Sequence, residues 1–155
     1  MMSAIMRANL LSLDNEVFAC FTFYSCLLFL KVFVVALLTP IQRFRKKAFI
    51  SPEDTKLAEG GEVREDPDVE RVRRAHLNDL ENIPIFVMSG LLFVLIDPNV
   101  MMAKWLFRIY TVARYLHSIV YLFAVPQPAR ALCFAVGLTI NLAIIVIIAY
   151  TSFSI

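Results

Sequence analysis

The run EVFACFTFYSCLLFLKVFVVALLTP, Glu16 to Pro40, holds twenty-five residues and only two charges, Glu16 and Lys31. It is too long for the apolar core of a removed signal peptide, roughly 7–15 residues, and no Ala-x-Ala cleavage pattern follows it. The reading is a retained membrane span. Working outward, further apolar stretches cover about 75–96, 101–125 and 129–150. Asp97-Pro98-Asn99 supplies turn chemistry between the second and third, and Pro126-Gln127-Pro128 a stiff corner between the third and fourth. The predicted fold is all-α, a single domain over 1–155 built as a four-transmembrane-helix bundle. Composition agrees. The chain is 59% hydrophobic and 18% charged, where a soluble domain carries nearer about 25% charged residues. A net charge of +2 without a basic, aromatic-interleaved stripe excludes a nucleic-acid partner. Cys20, Cys26 and Cys133 all lie in apolar runs without metal spacing and read as buried thiols.

Residues 41–74 form the one polar connection, expected as a cytosolic loop. Ile41 to Ala75 holds nine of the fifteen Lys and Arg residues, and positive charge at span ends fixes the cytosolic side. The middle, Ser51 to Asp68, carries both loop glycines and two prolines and reads as mobile. Four spans then place both termini on the lumenal side and the Pro126–Arg130 corner with the loop.

Ionisable residues within the spans demand explanation. Lys31 either snorkels or faces the protein interior. Arg74, Asn78 and Glu81 recur at i, i+4 and i+7 along one helical stripe, with Arg73 and His76 on a second stripe beside it. Arg114, His117 and Tyr121 share a face of the third span, and Arg130 follows the proline corner. Taken singly, each has a plain reading. Arg71, Arg73 and Arg74 serve as positive-inside anchors, Glu81–Arg114 as a packing ion pair, the histidines as core residues, Trp105 and Tyr121 as interfacial aromatics. Their sum is harder to dismiss, because one arginine at a helix centre costs about 2.5–3.5 kcal/mol. Several guanidinium forks and one carboxylate suit a ligand with several carboxylates and one ammonium. Glutathione has that inventory; citrate-like acids and nucleotides leave Glu81 repelling them.

The run Glu70-Arg71-Val72-Arg73-Arg74-Ala75-His76-Leu77-Asn78-Asp79-Leu80-Glu81-Asn82 resembles the signature of the microsomal glutathione transferases. These belong to the superfamily of membrane-associated proteins in eicosanoid and glutathione metabolism, MAPEG. Arg43 with Lys46-Lys47 and Ser51-Pro52-Glu53-Asp54, Ala113-Arg114 with His117 and Tyr121-Leu122, and Pro126-Gln127-Pro128 with Arg130-Ala131-Leu132 agree with it. The similarity covers about residues 14–150 and is nearest to the first type. It implies a homotrimer with glutathione between subunits near the cytosolic surface. Arg43, Arg73, Arg74, His76, Asn78, Glu81, Arg114 and Tyr121 match the positions that line that site, and Arg130 the candidate thiol activator. Three positions depart from the pattern: Thr55 stands where the family often has cysteine, Pro84 one residue early, and Ala129 in place of a polar residue.

The implied activity is conjugation of the glutathione thiolate to hydrophobic electrophiles, a detoxification reaction, with peroxidase activity on lipid hydroperoxides beside it. No metal and no cofactor beyond glutathione as co-substrate is expected. The expected location is the endoplasmic reticulum membrane, with the mitochondrial outer membrane as a second. A glutathione-dependent isomerase of the prostaglandin E synthase type and a non-catalytic lipid-binding scaffold are the alternatives.

Overall fold

In the computed structural model, which describes residues 10–154, the chain runs through four long helices: α1, Glu16–Lys46; α2, Pro67–Leu95; α3, Val100–Leu122; and α4, Ala129–Phe153. Asn15 caps α1 by accepting from the Val17 and Phe18 amides. Asp66 and Asn99 cap α2 and α3 in the same way through the Asp68 and Met102 amides. The first and third helices run parallel. Glu16 meets Lys104, Arg108 donates to the Tyr24 hydroxyl at 3.1 Å, and Tyr115 donates to the Leu27 carbonyl at 2.8 Å. Their C-terminal ends therefore lie together, and with them the connection from α1 to α2 and the corner from α3 to α4.

Aromatic rings fill the core. Phe86 stacks on Tyr110 at 3.8 Å between centroids, and Phe107 lies edge-on to Phe86 and Phe93. The outer faces are apolar as well, with Phe23, Phe33, Leu37, Val146 and Met88 all exposed. Apolar patches of that extent suit lipid as solvent. Helices α1, α2 and α4 are long and apolar enough to cross a membrane. Helix α3 is of spanning length but carries Lys104, Arg108 and Arg114.

The helices outrun the expected spans. Helix α1 continues through Pro40 to Lys46, because an exposed proline removes one ladder bond without having to end the helix. Helix α2 begins eight residues before Ala75, at Pro67, where a proline fits the first turn. Helix α3 ends at Leu122, short of Val125; Ala124 has φ 54°.

The segment between α1 and α2, expected to be mobile, is built. Strands β1 (Ala48–Phe49) and β2 (Glu62–Val63) pair in parallel around a 3₁₀ helix, Pro52–Leu57. Arg64 donates to the Lys46 carbonyl at 2.8 Å, satisfying the end of α1, and Lys46 and Arg71 both grip Asp68. Gly61 passes so near the Thr55 carbonyl that a Cβ there would sit 2.5 Å from its oxygen. The cysteines also depart from expectation: Cys26 is exposed, and Cys20 and Cys133 are half-buried. Residues 20 and 26 are about 600° of helical rotation apart, so they face different sides of α1.

Candidate functional site

At the centre of the bundle, Asp79 of α2 is wholly buried between two cations. Its Oδ2 pairs with Lys31 of α1, and its Oδ1 accepts from Arg114 Nη2 of α3 at 2.8 Å. Ser118 Oγ lies 3.4 Å from Oδ2. The helical phase of α2 dictates this placement, since Val72, Ala75, Asp79, Ile83 and Phe86 share its core face. Lys31 therefore does not snorkel; it faces inward, 4% exposed. The sequence pointed to Glu81 as Arg114's partner, but Glu81 lies about 200° of helical rotation from Asp79 and is exposed. Asp79 carries the pair instead.

Arg114, 1% exposed, reaches past Asp79 to the neighbouring side chain. Its Nη2 is 2.7 Å from Asn78 Oδ1 and 3.3 Å from the Asn78 carbonyl. One turn further along α3, the buried His117 ring lies 5.6 Å from the Tyr121 ring, and the Arg130 guanidinium of α4 sits 4.6 Å over the Tyr121 face. His117 Nδ1 and Arg114 Nε have no partner within the described residues. A polar column thus runs from Lys31 through Asp79, Arg114 and His117 to Arg130, ending at the corner between α3 and α4.

The remaining predicted residues lie apart from this column in the single chain. Arg73 and Arg74 are exposed on α2, and Arg73 bonds Glu70 at 3.0 Å. Glu81 is exposed, His76 is half-buried, and Arg43 is half-buried in the last turn of α1. Arg74, Asn78 and Glu81 do form one stripe. His76 lies about 200° from Arg74 around the helix, and Arg73, about 100° from Arg74, falls between them. In the first turn of α2, ahead of its apolar stretch, Lys46 and then Arg71 hold the Asp68 carboxyl below its ordinary range. Thr55, at the position of the expected cysteine, donates to the Pro52 carbonyl at 2.7 Å and closes its own turn. Asp79 and Ser118 are the members that sequence reasoning missed. The signal for Asp79 was available, because a lysine inside an apolar span needs a carboxylate on a facing helix.

Whole-chain similarity to known proteins is extensive. The chain is 45% identical over 136 residues to "Microsomal glutathione S-transferase 1" of Mus musculus, covering 84% of this chain and 88% of the relative. The Homo sapiens protein of that name is 43% identical over the same shares. "Prostaglandin E synthase" of Homo sapiens is 38% identical over 134 residues, covering 85% of this chain and 88% of the relative. The model of the MAPEG family matches residues 21–150, and with that match and those identities the chain belongs to the MAPEG family.

Proposed function

We propose that this protein is a membrane-bound glutathione transferase that joins the glutathione thiolate to hydrophobic electrophiles. The observation that carries the reading is the Arg130 guanidinium seated over Tyr121, at the same end of the bundle as the end of α1 that carries Arg43 and the start of α2 that carries Arg73 and Arg74. It is supported by the names of the relatives, two of which are glutathione transferases.

A thiol with a pKa of about 8.5 is only roughly 3% ionised at pH 7. Arg130, always charged, favours the anion. A fall of about two units, worth about 2.7 kcal/mol, makes thiolate the dominant form. The thiol proton passes to solvent, sulfur forms the new bond to the electrophilic carbon, and the leaving group departs with its electron pair. Arg43, Arg73, Arg74, His76, Asn78 and Tyr121 serve to bind the tripeptide and Arg114 to place it, with Glu81 taking its ammonium. Holding the sulfur where bilayer-dissolved electrophiles arrive replaces a bimolecular search. With a lipid hydroperoxide the same thiolate attacks the O–O bond and releases the alcohol. A second glutathione then converts the sulfenic acid to disulfide and water.

Arg73, Arg74 and Glu81 are exposed on α2, apart from Tyr121 and Arg130 in the single chain. We read the assembly as a homotrimer of four-span subunits in which this outward side of α2 meets a neighbour. The loop and Arg130 end lies toward the cytosol, in the endoplasmic reticulum membrane and the mitochondrial outer membrane.

The test uses purified protein in detergent. Glutathione should bind with the ultraviolet absorbance of a thiolate and be consumed with a chlorinated aromatic electrophile. Arg130→Ala should keep binding and lose most of the thiolate signal. An undiminished signal sinks the assignment of Arg130, and thiolate formation without glutathione consumption points to an isomerase.

A further inference from the structure

We propose that Arg114 does not touch the tripeptide but is a positioning residue, fixing the Asn78 amide so that it offers the ligand only N–H donors. This deepens the glutathione reading and rests on it.

Arg114 is 1% exposed, so the route from its guanidinium to any ligand runs through a neighbour. That neighbour is Asn78, whose Oδ1 takes Nη2 at 2.7 Å. A guanidinium has donors and no acceptor, so the amide must turn its oxygen inward. Trigonal geometry then sets Nδ2 on the other side of the amide carbon. There it donates to nothing among the described residues, on the half-buried flank that carries the exposed Arg74 and Glu81. Two N–H donors beside an arginine receive a carboxylate or a peptide carbonyl and reject an ammonium, which leaves the ammonium to Glu81. A free asparagine amide flips at little cost and would offer its oxygen to a carboxylate part of the time. Asp79 prevents Arg114 from releasing it. Its Oδ1 binds the same Nη2 at 2.8 Å, while Lys31 and Ser118 hold the carboxylate from α1 and α3. Three helices thus fix one amide rotamer, and the carboxylate that does so never meets substrate.

The deciding experiment is a double-mutant cycle on glutathione affinity, with the full chain purified in detergent and labelled glutathione at equilibrium. Asn78→Ala should weaken binding about tenfold, the worth of a hydrogen bond to a charged group. Arg114→Met should weaken it by a similar factor, and the double variant should stay within about twofold of Asn78→Ala alone, because residues that act through one another are not additive. Factors that multiply to about a hundredfold would mean that Arg114 contacts the ligand itself, and would overturn the proposal. Should Arg114→Met fail to fold, Arg114→Lys takes its place in the cycle, keeping the charge beside Asp79 while losing the fork.

Asn78→Asp supplies a readout that a merely structural role would not move. It keeps an oxygen toward Arg114 and strengthens that contact, so melting temperature should hold or rise while glutathione affinity falls at least about tenfold. Affinity retained in Asn78→Asp, or in Asn78→Ala, overturns the proposal. Wild-type protein that binds no glutathione at all would instead overturn the glutathione reading beneath it.

Discussion

Lys31 of α1 and Asp79 of α2 form an ion pair of which only 4% and 0% of the side chains are exposed. Among the described residues, Asp79 is the lone carboxylate of three buried ionic groups, the others being Lys31 and Arg114. Two cations thus depend on one anion, and the consequences of removing them are unequal.

Replacing Asp79 with Leu leaves two buried cations uncompensated. The expected loss of stability is about 3–5 kcal/mol, the cost of breaking a buried pair from one side. Lys31→Met removes a cation and leaves Asp79 paired with Arg114, so it should cost clearly less. Melting temperatures of both variants in the same detergent check the order, and Lys31→Met matching or exceeding Asp79→Leu would refute it.

That cluster also marks how far the sequence could be read. Long apolar runs revealed the helices because spanning length and lipid solvent leave few other solutions. Reading Arg130, Tyr121 and Arg114 as near neighbours likewise needed only helical spacing and a short corner. Asp79 was passed over because Arg74, Asn78 and Glu81 make the visible stripe. The phase of Val72, Ala75, Ile83 and Phe86 says which acidic residue of α2 points inward, and it is Asp79. The paired strands between α1 and α2 left no trace, since two residues per strand show no alternation. Nor does the spacing of Arg73 and Glu81 reveal that both face away from their own bundle.

Tyr121 and Arg130 give a graded test of the proposed thiolate site. Tyr121→Phe keeps the ring face 4.6 Å beneath the guanidinium, whereas Tyr121→Leu removes it. A cation–π contact here is worth about 0.5–2 kcal/mol, so the leucine variant should lose roughly two- to thirtyfold in kcat/KM. The phenylalanine variant should retain more of the thiolate absorbance than the leucine one. Equal loss in both would assign the effect to the hydroxyl.

Asp68 in the first turn of α2 ties the end of α1 to the start of α2 through Lys46 and Arg71, which hold its carboxyl below the ordinary range. A depressed carboxyl stabilises the folded arrangement fully above its unfolded value, about 4, and that contribution vanishes as pH falls through the folded value. Hydrogen exchange of amides 47–66, corrected for intrinsic rates, should therefore accelerate below about pH 4. Asp68→Asn should exchange faster already at pH 6 and lack the acid transition. A loop equally protected in the variant would remove Asp68 from this role.

Glu81 separates binding from folding. It is exposed and makes no ion pair among the described residues, so Glu81→Gln should change stability by no more than about 0.5 kcal/mol. The same change removes the one carboxylate assigned to the glutathione ammonium, and a charge-assisted hydrogen bond is worth about 1.5–3 kcal/mol. Dissociation constants for glutathione should therefore rise at least about tenfold, while the rate at saturating glutathione falls by a smaller factor, because the ammonium is remote from the reacting sulfur. Glutathione lacking its γ-glutamyl amino group supplies the matching deletion on the ligand. Wild-type protein should bind it about as weakly as Glu81→Gln binds glutathione, and the variant should hardly distinguish the two peptides. A variant that still prefers the peptide bearing the amine would place that ammonium against some other group.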